Sequence, residues 1–306
     1  MLYELGGLFG GLLLLVYGSD RTVDSASAFA HALGVSTLFI GITIVAVGSS
    51  LPEIATSIYG SVYDTGDFVI AHIVGSATSQ ITLGIGVLAL TASLTFERRT
   101  VYRYGTAMVA AMAIMLVAVW GGRISRLLGA VMVVLYAFFL LFRFEHDGYR
   151  QSVESRVESD RSVPRLTVQF VVGIAMVIVG GHLLITGARG VAVELGVPWY
   201  LLGVVTGLGT TIPEIAIGAS SIYHDEESIA VGTLLGSNIT DPLFSLGIGA
   251  AVGTIAISDP RVAVVGTAYM LAASATVLLL AYWRETFGRA EGILCVLLYL
   301  PTYLVG

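Results

Sequence analysis

Lysine is absent from this chain of 306 residues, and cysteine occurs once, at Cys295. One cysteine excludes an internal disulfide, and its apolar surroundings predict a packing role. Charged residues make up only 12% of the chain; all 15 basic residues are arginine and the net charge is −6. An acidic balance of this kind argues against a nucleic-acid partner, which needs a basic face. Catalytic signatures are missing too. There is no Gly-x-Ser-x-Gly, no His-Glu-x-x-His and no Gly-x-Gly-Asp. An intramembrane hydrolase would need a nucleophile with its base, or an aspartate pair. No enzyme, no cofactor and no obligate protein partner is therefore expected. The EF-hand pattern is also absent.

What is present is apolar. Hydrophobic residues form 56% of the chain, and its mean hydropathy is +0.89. Runs of about 20 apolar residues recur from end to end, as in a polytopic membrane protein. Ten such spans are expected, at 2–30, 36–62, 67–94, 102–120, 124–143, 166–192, 197–223, 227–253, 259–283 and 288–305. The first lacks a basic leading segment and is read as a span rather than a cleaved signal. The fold class expected is thus an all-α integral membrane protein in the lipid bilayer.

One long polar stretch, 144–165, divides the chain into a five-span repeat at 1–143 and a second at 166–306. The halves echo one another. Ala32-Leu33-Gly34-Val35 matches Glu194-Leu195-Gly196-Val197, and Gly18-Ser19-Asp20 falls opposite Gly180-Gly181-His182. The offset is 162 residues at Gly34/Gly196 and 161 at Glu53/Glu214, so one residue is missing between Gly196 and Gly209. An odd number of spans per repeat turns the second copy upside down, the inverted-repeat plan of secondary transporters. Ten loop arginines fall on the side of the central stretch and three (Arg123, Arg126, Arg261) on the other. That bias predicts a cytoplasmic central loop and external termini in the cytoplasmic membrane.

Two motifs carry the chemistry. The first copy reads Gly48-Ser49-Ser50-Leu51-Pro52-Glu53, then Gly75-Ser76-Ala77-Thr78-Ser79-Gln80. The second reads Gly209-Thr210-Thr211-Ile212-Pro213-Glu214, then Gly236-Ser237-Asn238-Ile239-Thr240-Asp241. Glu53 precedes Ser76 by 23 residues and Gln80 by 27; Glu214 precedes Ser237 and Asp241 by the same intervals. A buried acid in lipid is expensive and marks function by default. Pro52 and Pro213 remove the helical bonds to the carbonyls of Gly48 and Gly209, and a carbonyl freed at membrane depth needs a partner. Ser49, Ser50, Thr210 and Thr211 lie three or four residues before each glutamate, on the same helix face. Ser76 with Gln80, and Ser237 with Asp241, stand one turn apart. The inventory is three carboxylates, an amide, hydroxyls and carbonyls. Such hard oxygen ligands suit Ca²⁺, and Na⁺ as well, better than zinc or copper.

Gly-Ser/Thr-Ser/Thr-x-Pro-Glu followed by Gly-Ser-Asn, in two inverted copies, resembles the cation/calcium exchanger superfamily. The Pro-Glu form is that of its sodium/calcium exchanger branch. The Gly-Asn-x-x-Glu element of the proton/calcium branch is missing. The resemblance covers nearly the whole chain. It implies an antiporter that exchanges external Na⁺ for cytosolic Ca²⁺, with alternating access through sliding of the first and sixth spans. Carried over by position, the ion-binding glutamates are Glu53 and Glu214. The hydroxyl ligands are Ser49, Ser50, Ser76, Thr210, Thr211 and Ser237. The carbonyl ligands are Ala46 and Gly207, and the amide-or-acid positions are Gln80 and Asp241. An acid at Asp241 is associated with K⁺ dependence in some relatives, so coupling to K⁺ or H⁺ is the alternative. A permanent channel fits broken helices in inverted repeats less well.

The chain departs from the family pattern at Ala77, where an asparagine is usual. It departs at Gln80, which is one methylene longer than the usual residue, and at Thr211, which replaces serine. Asp20 and Arg21 are expected to be structural. His31, His72, His182 and His224 read as packing or helix-end residues, and His146 as surface. Asp64, Asp67, Asp225, Glu226 and Glu227 read as helix-terminus charges.

Overall fold

The computed structural model describes residues 2–33, 35–143, 163–194, 204 and 207–304. His146 and the acids of the central stretch lie outside the described residues, as do the side chains of His31 and His182. Almost all that is described is helix. The first half holds α1 (Leu2–Leu33), α2 (Thr37–Ser49), α3 (Leu51–Val62), α4 (Gly66–Thr91), α5 (Arg98–Trp120) and α6 (Arg126–Arg143). The second holds α7 (Val163–Glu194), α8 (Ile212–Tyr223), α9 (227–252), α10 (Pro260–Arg284) and α11 (Arg289–Leu297). Among the described residues, α4, α5, α6 and α10 are each long and apolar enough to cross a membrane, and α2 with α3 forms a fifth, broken candidate.

The break between α2 and α3 is 45° and follows from Pro52, the second residue of α3. Without its N–H and with its ring against the preceding turn, Pro52 starts a new helix. Ser50 takes the hinge conformation at φ −81°, ψ 7°. Thr211 holds the matching place before α8, which also carries proline, Pro213, in its first turn. The turns at the far ends of α3 and α8 correspond as well. Asp64 and Asp225, 161 positions apart, both adopt left-handed φ values, 53° and 58°. Asp tolerates that region because its side chain bonds locally.

Among the described residues, four two-residue strands fix the directions of α4, α5, α9 and α10. They are β1 (Leu94–Thr95), β2 (Arg123–Ile124), β3 (Ile255–Ala256) and β4 (Thr286–Phe287), and β1 pairs with β4 while β2 pairs with β3. Helix α5 runs from β1 to β2 and α10 from β3 to β4, so these two packed helices are antiparallel. Helices α4 and α9 obey the same rule. Asp67, at the start of α4, accepts from the N–H groups of Ser258 and Asp259 just after β3, at 2.9 and 3.2 Å. Glu227, at the start of α9, accepts from the N–H of Thr95 in β1. Both acids therefore act at helix ends, each on backbone of the other half.

Glycines let α2 and α9 touch backbone to backbone. A Cβ on Gly236 would lie 2.5 Å from the Ile42 carbonyl oxygen, and one on Gly232 would lie 2.8 Å from that of Leu38. Gly75, the counterpart of Gly236, would place a Cβ 2.8 Å from the Val204 oxygen. Each Pro-Glu segment thus leans on the Gly-Ser helix of the opposite half.

Among the described residues two apolar cores result. The larger joins α4, α5, α6, α9, α10 and α11 and includes Cys295, which is fully buried. The smaller centres on α1 and α7, through Val23, Phe29, Phe170 and Ile174. Helix α6 turns Leu127, Val134, Phe138 and Leu141 outward, an apolar face that water would not tolerate at this extent. Gly236→Ala is expected to destabilise the protein by roughly 1–3 kcal/mol through overpacking, read as a lowered unfolding temperature in detergent. Gly121→Ala, where a Cβ meets nothing within 4 Å, is expected to leave it unchanged.

Candidate functional site

The two breaks and the two Gly-Ser segments converge at the contact of α2–α3, α4, α8 and α9. Every residue singled out by position is buried there: Ala46, Ser49, Ser50, Glu53, Ser76, Gln80, Gly207, Thr210, Thr211, Glu214, Ser237 and Asp241. Glu53, Glu214 and Asp241 are wholly enclosed, and close enough to interact electrostatically. Among the described residues, no three His, Cys, Asp or Glu side chains close into a ready metal sphere. A cation here would rely on hydroxyls and carbonyls alongside the acids.

The contacts cross between halves. Ser49 stands beside Glu214, Thr210 beside Glu53 and Ser50 beside Asp241. Ser49 Oγ is 3.4 Å from Ser237 Oγ. The Thr211 hydroxyl lies against Ser79 and within 3.3 Å of the Ser76 carbonyl oxygen. Within its own half, Ser76 donates to Glu53 Oε1 at 2.9 Å. The Ala46 carbonyl accepts from Ser49 Oγ at 3.2 Å. The Gly207 carbonyl accepts from Thr210 and Thr211 at 3.0 and 3.1 Å.

Donors run short at the centre. Both oxygens of Glu214, Oε2 of Glu53 and Oγ of Ser50 are buried without a hydrogen-bond partner among the described residues. A buried carboxylate that lacks partners is costly, and three such oxygens together with a hydroxyl are the natural counterpart of a hard cation.

The structure adds residues that sequence reading left out. Asn238 donates from Nδ2 to Gln80 Oε1 at 2.9 Å and to the Leu234 carbonyl at 2.8 Å. Gln80 Nε2 donates to Ser76 Oγ and to Asp241 Oδ2, at 3.1 and 3.0 Å. Ser245 reaches Asp241 Oδ1 at 3.4 Å. Asn238 was in plain view within Gly-Ser-Asn, but Ser245 had no signal. A widened helical turn begins at each amide-or-acid position, Gln80–Gly84 in α4 and Asp241–Ser245 in α9. Such turns favour functional sites. Pro242 contributes to the second by lacking an N–H; the first has no proline to explain it.

Asp20 accepts from Ser220 of α8, and Glu226 accepts from Ser27 of α1. Both serve to tie α1 to the second half, and Asp20 does not pair with Arg21. His72 is buried and stacks on Phe68, and His224 bonds Ser220 at the end of α8. Neither joins the cluster.

A buried two-fold oxygen cluster at broken membrane helices defines a class, the cation antiporters with discontinuous helices. The family model described as "Sodium/calcium exchanger protein" matches residues 3–145 and 165–305. The chain belongs to this family, in the sodium/calcium exchanger branch of the cation/calcium exchanger superfamily. It is similar to the sodium/calcium exchanger MaX1 of Methanosarcina acetivorans, at 28% identity over 96% of both chains. It is also similar to the inner membrane protein YrbG of Escherichia coli, at 30% over 96% of this chain and 94% of that one. A solved structure of the sodium-calcium exchanger NCX_Mj superposes with a TM-score of 0.83 at 25% identity, covering 99% of this chain and 98% of that one.

Replacing Glu214 by methionine removes two unpartnered oxygens at similar volume. In cation-free detergent Glu214→Met is expected to raise stability by about 1–3 kcal/mol, read as a higher unfolding temperature.

Proposed function

We propose that this protein is a secondary-active antiporter that exchanges Na⁺ for Ca²⁺ across the cytoplasmic membrane and extrudes Ca²⁺ by alternating access. The observation that carries the reading is the group of partnerless buried oxygens on Glu214, Glu53 and Ser50. Glu53 and Glu214 supply the charge that offsets the ion. Ser49, Ser50, Ser76, Thr210, Thr211 and Ser237 supply hydroxyl oxygens, and Ala46 and Gly207 supply carbonyls. Na⁺ and Ca²⁺ are close in size and share these ligands, so one cavity serves both in turn. No further cofactor has a role.

The two halves, 1–143 and 166–306, are read as inverted repeats of five spans each, ten in all, joined by a cytoplasmic segment at 144–165 with both termini outside. The antiparallel course of α5 and α10 supports this reading, as do the matched turns at Asp64 and Asp225. The smaller core, centred on α1 and α7 and reaching Ile40, Ile217 and Ile229, supports a gate that slides over a stable body. That body holds Ser76, Gln80, Ser237 and Asp241 of the cluster in α4 and α9.

A K⁺-coupled variant is the second reading. It rests on Asp241 and on 30% identity over 143 residues to the human sodium/potassium/calcium exchanger 4, a match that spans 46% of this chain and 23% of that one. The bond from Gln80 to Asp241 weakens it, because the amide already serves the carboxylate.

Proteoliposomes loaded with Na⁺ and diluted into Na⁺-free medium are expected to take up Ca²⁺, and Glu214→Gln is expected to abolish uptake. Uptake that needs K⁺ would select the second reading. Uptake driven only by an outward proton gradient would overturn both.

A further inference from the structure

The Gln80 side chain has two faces, and which one it turns to the cluster decides its chemistry. A carbonyl oxygen would ligate a cation, whereas an NH₂ group repels one and takes a carboxylate oxygen instead. The surrounding bonds leave no choice. The Leu234 carbonyl is an acceptor fixed by the backbone of α9, so the side-chain group that Asn238 turns to it is the NH₂. The second hydrogen of that NH₂ points to Gln80. Gln80 must therefore meet Asn238 with its oxygen. Its own NH₂ is then directed at Ser76 Oγ and Asp241 Oδ2, 3.1 and 3.0 Å away. A backbone carbonyl thus sets, through two amides, the polarity that Gln80 presents to the site.

We infer that Asn238 is a positioning residue that locks the Gln80 amide with its NH₂ toward Asp241, so that Gln80 acts as a built-in donor and not as a cation ligand. The inference rests on the exchange reading above and narrows its ligand set at this position. It also separates the halves. Ala77 holds the place equivalent to Asn238 in the first repeat and can impose no such lock. Asp241, served by Gln80 at one oxygen and by Ser245 at the other, is withdrawn from the ions. Glu53 and Glu214 remain to hold them.

The test is a double-mutant cycle on the full-length protein in proteoliposomes. Asn238→Asp keeps the shape but, as a carboxylate, cannot donate to Gln80 Oε1. The Gln80 amide then rotates, gives its NH₂ to the new carboxylate and turns its oxygen toward the cluster, which gains one ligand. The KM for Ca²⁺ is expected to fall by on the order of tenfold, the worth of one charge-assisted contact, with the maximal rate kept within about twofold. In a Gln80→Leu background the same substitution is expected to leave KM unchanged, because no amide remains to rotate. Gln80→Glu keeps the bond from Asn238 and removes the donors to Ser76 and Asp241, so it is expected to lower KM in the same direction. This second variant serves if Asn238→Asp fails to fold. An equal shift of KM in both backgrounds would show that the added charge acts through space, and would overturn the inference. An unchanged KM in Asn238→Asp or in Gln80→Glu would overturn it too. Loss of Na⁺-driven uptake in the unaltered protein would instead sink the exchange reading itself.

Discussion

Three carboxylates enclosed in an apolar interior are the constraint to which the rest of this structure answers. Glu53, Glu214 and Asp241 have no access to solvent, and in such surroundings a charge must be matched locally or it destabilises the fold. The protein matches them unequally. Asp241 has donors at both oxygens, Glu53 has one from Ser76, and Glu214 has none within hydrogen-bond geometry. The gradient of satisfaction runs toward Glu214, and under the exchange mechanism it marks where a cation contributes most.

The backbone makes this possible. Pro52 and Pro213 end one helix and begin another beside each glutamate, so polar main-chain groups and hydroxyls are presented where an unbroken helix would present none. Glycine then sets the distance. Gly75 and Gly236 allow main chain to approach main chain so closely that a methyl group would collide with a carbonyl. The cluster therefore assembles across the two halves, with Ser49 near Glu214 and Thr210 near Glu53. Neither half could build it alone.

The departures from symmetry carry as much information as the symmetry. Gln80 stands opposite Asp241, Ala77 opposite Asn238, and the widened turn of α9 contains a proline that the turn of α4 lacks. These differences concentrate on one side of the cluster, where amide and hydroxyl donors take the place of acceptors. Glu53 Oε2 and both oxygens of Glu214 are left as acceptors that no donor among the described residues serves.

The sequence alone determined the helical class, the position of the breaks, the pairing of the two motifs and the buried residues that those motifs bring together. It could do so because those features are local: apolar run length, a missing N–H at proline, and a spacing of 23 or 27 residues that recurs. It also placed the helix-end acids, since Asp67 and Glu227 sit in first turns. Only the tertiary structure decided which half serves which acid, because crossed contacts such as Ser49 to Ser237 join residues 188 positions apart. It alone showed the widened turns, the tie from Asp20 to Ser220 and the direction of the Gln80 amide. A side-chain amide has no preferred polarity of its own. The fixed carbonyl of Leu234 supplies it through Asn238, and that pair meets Gln80 only after α4 and α9 have packed.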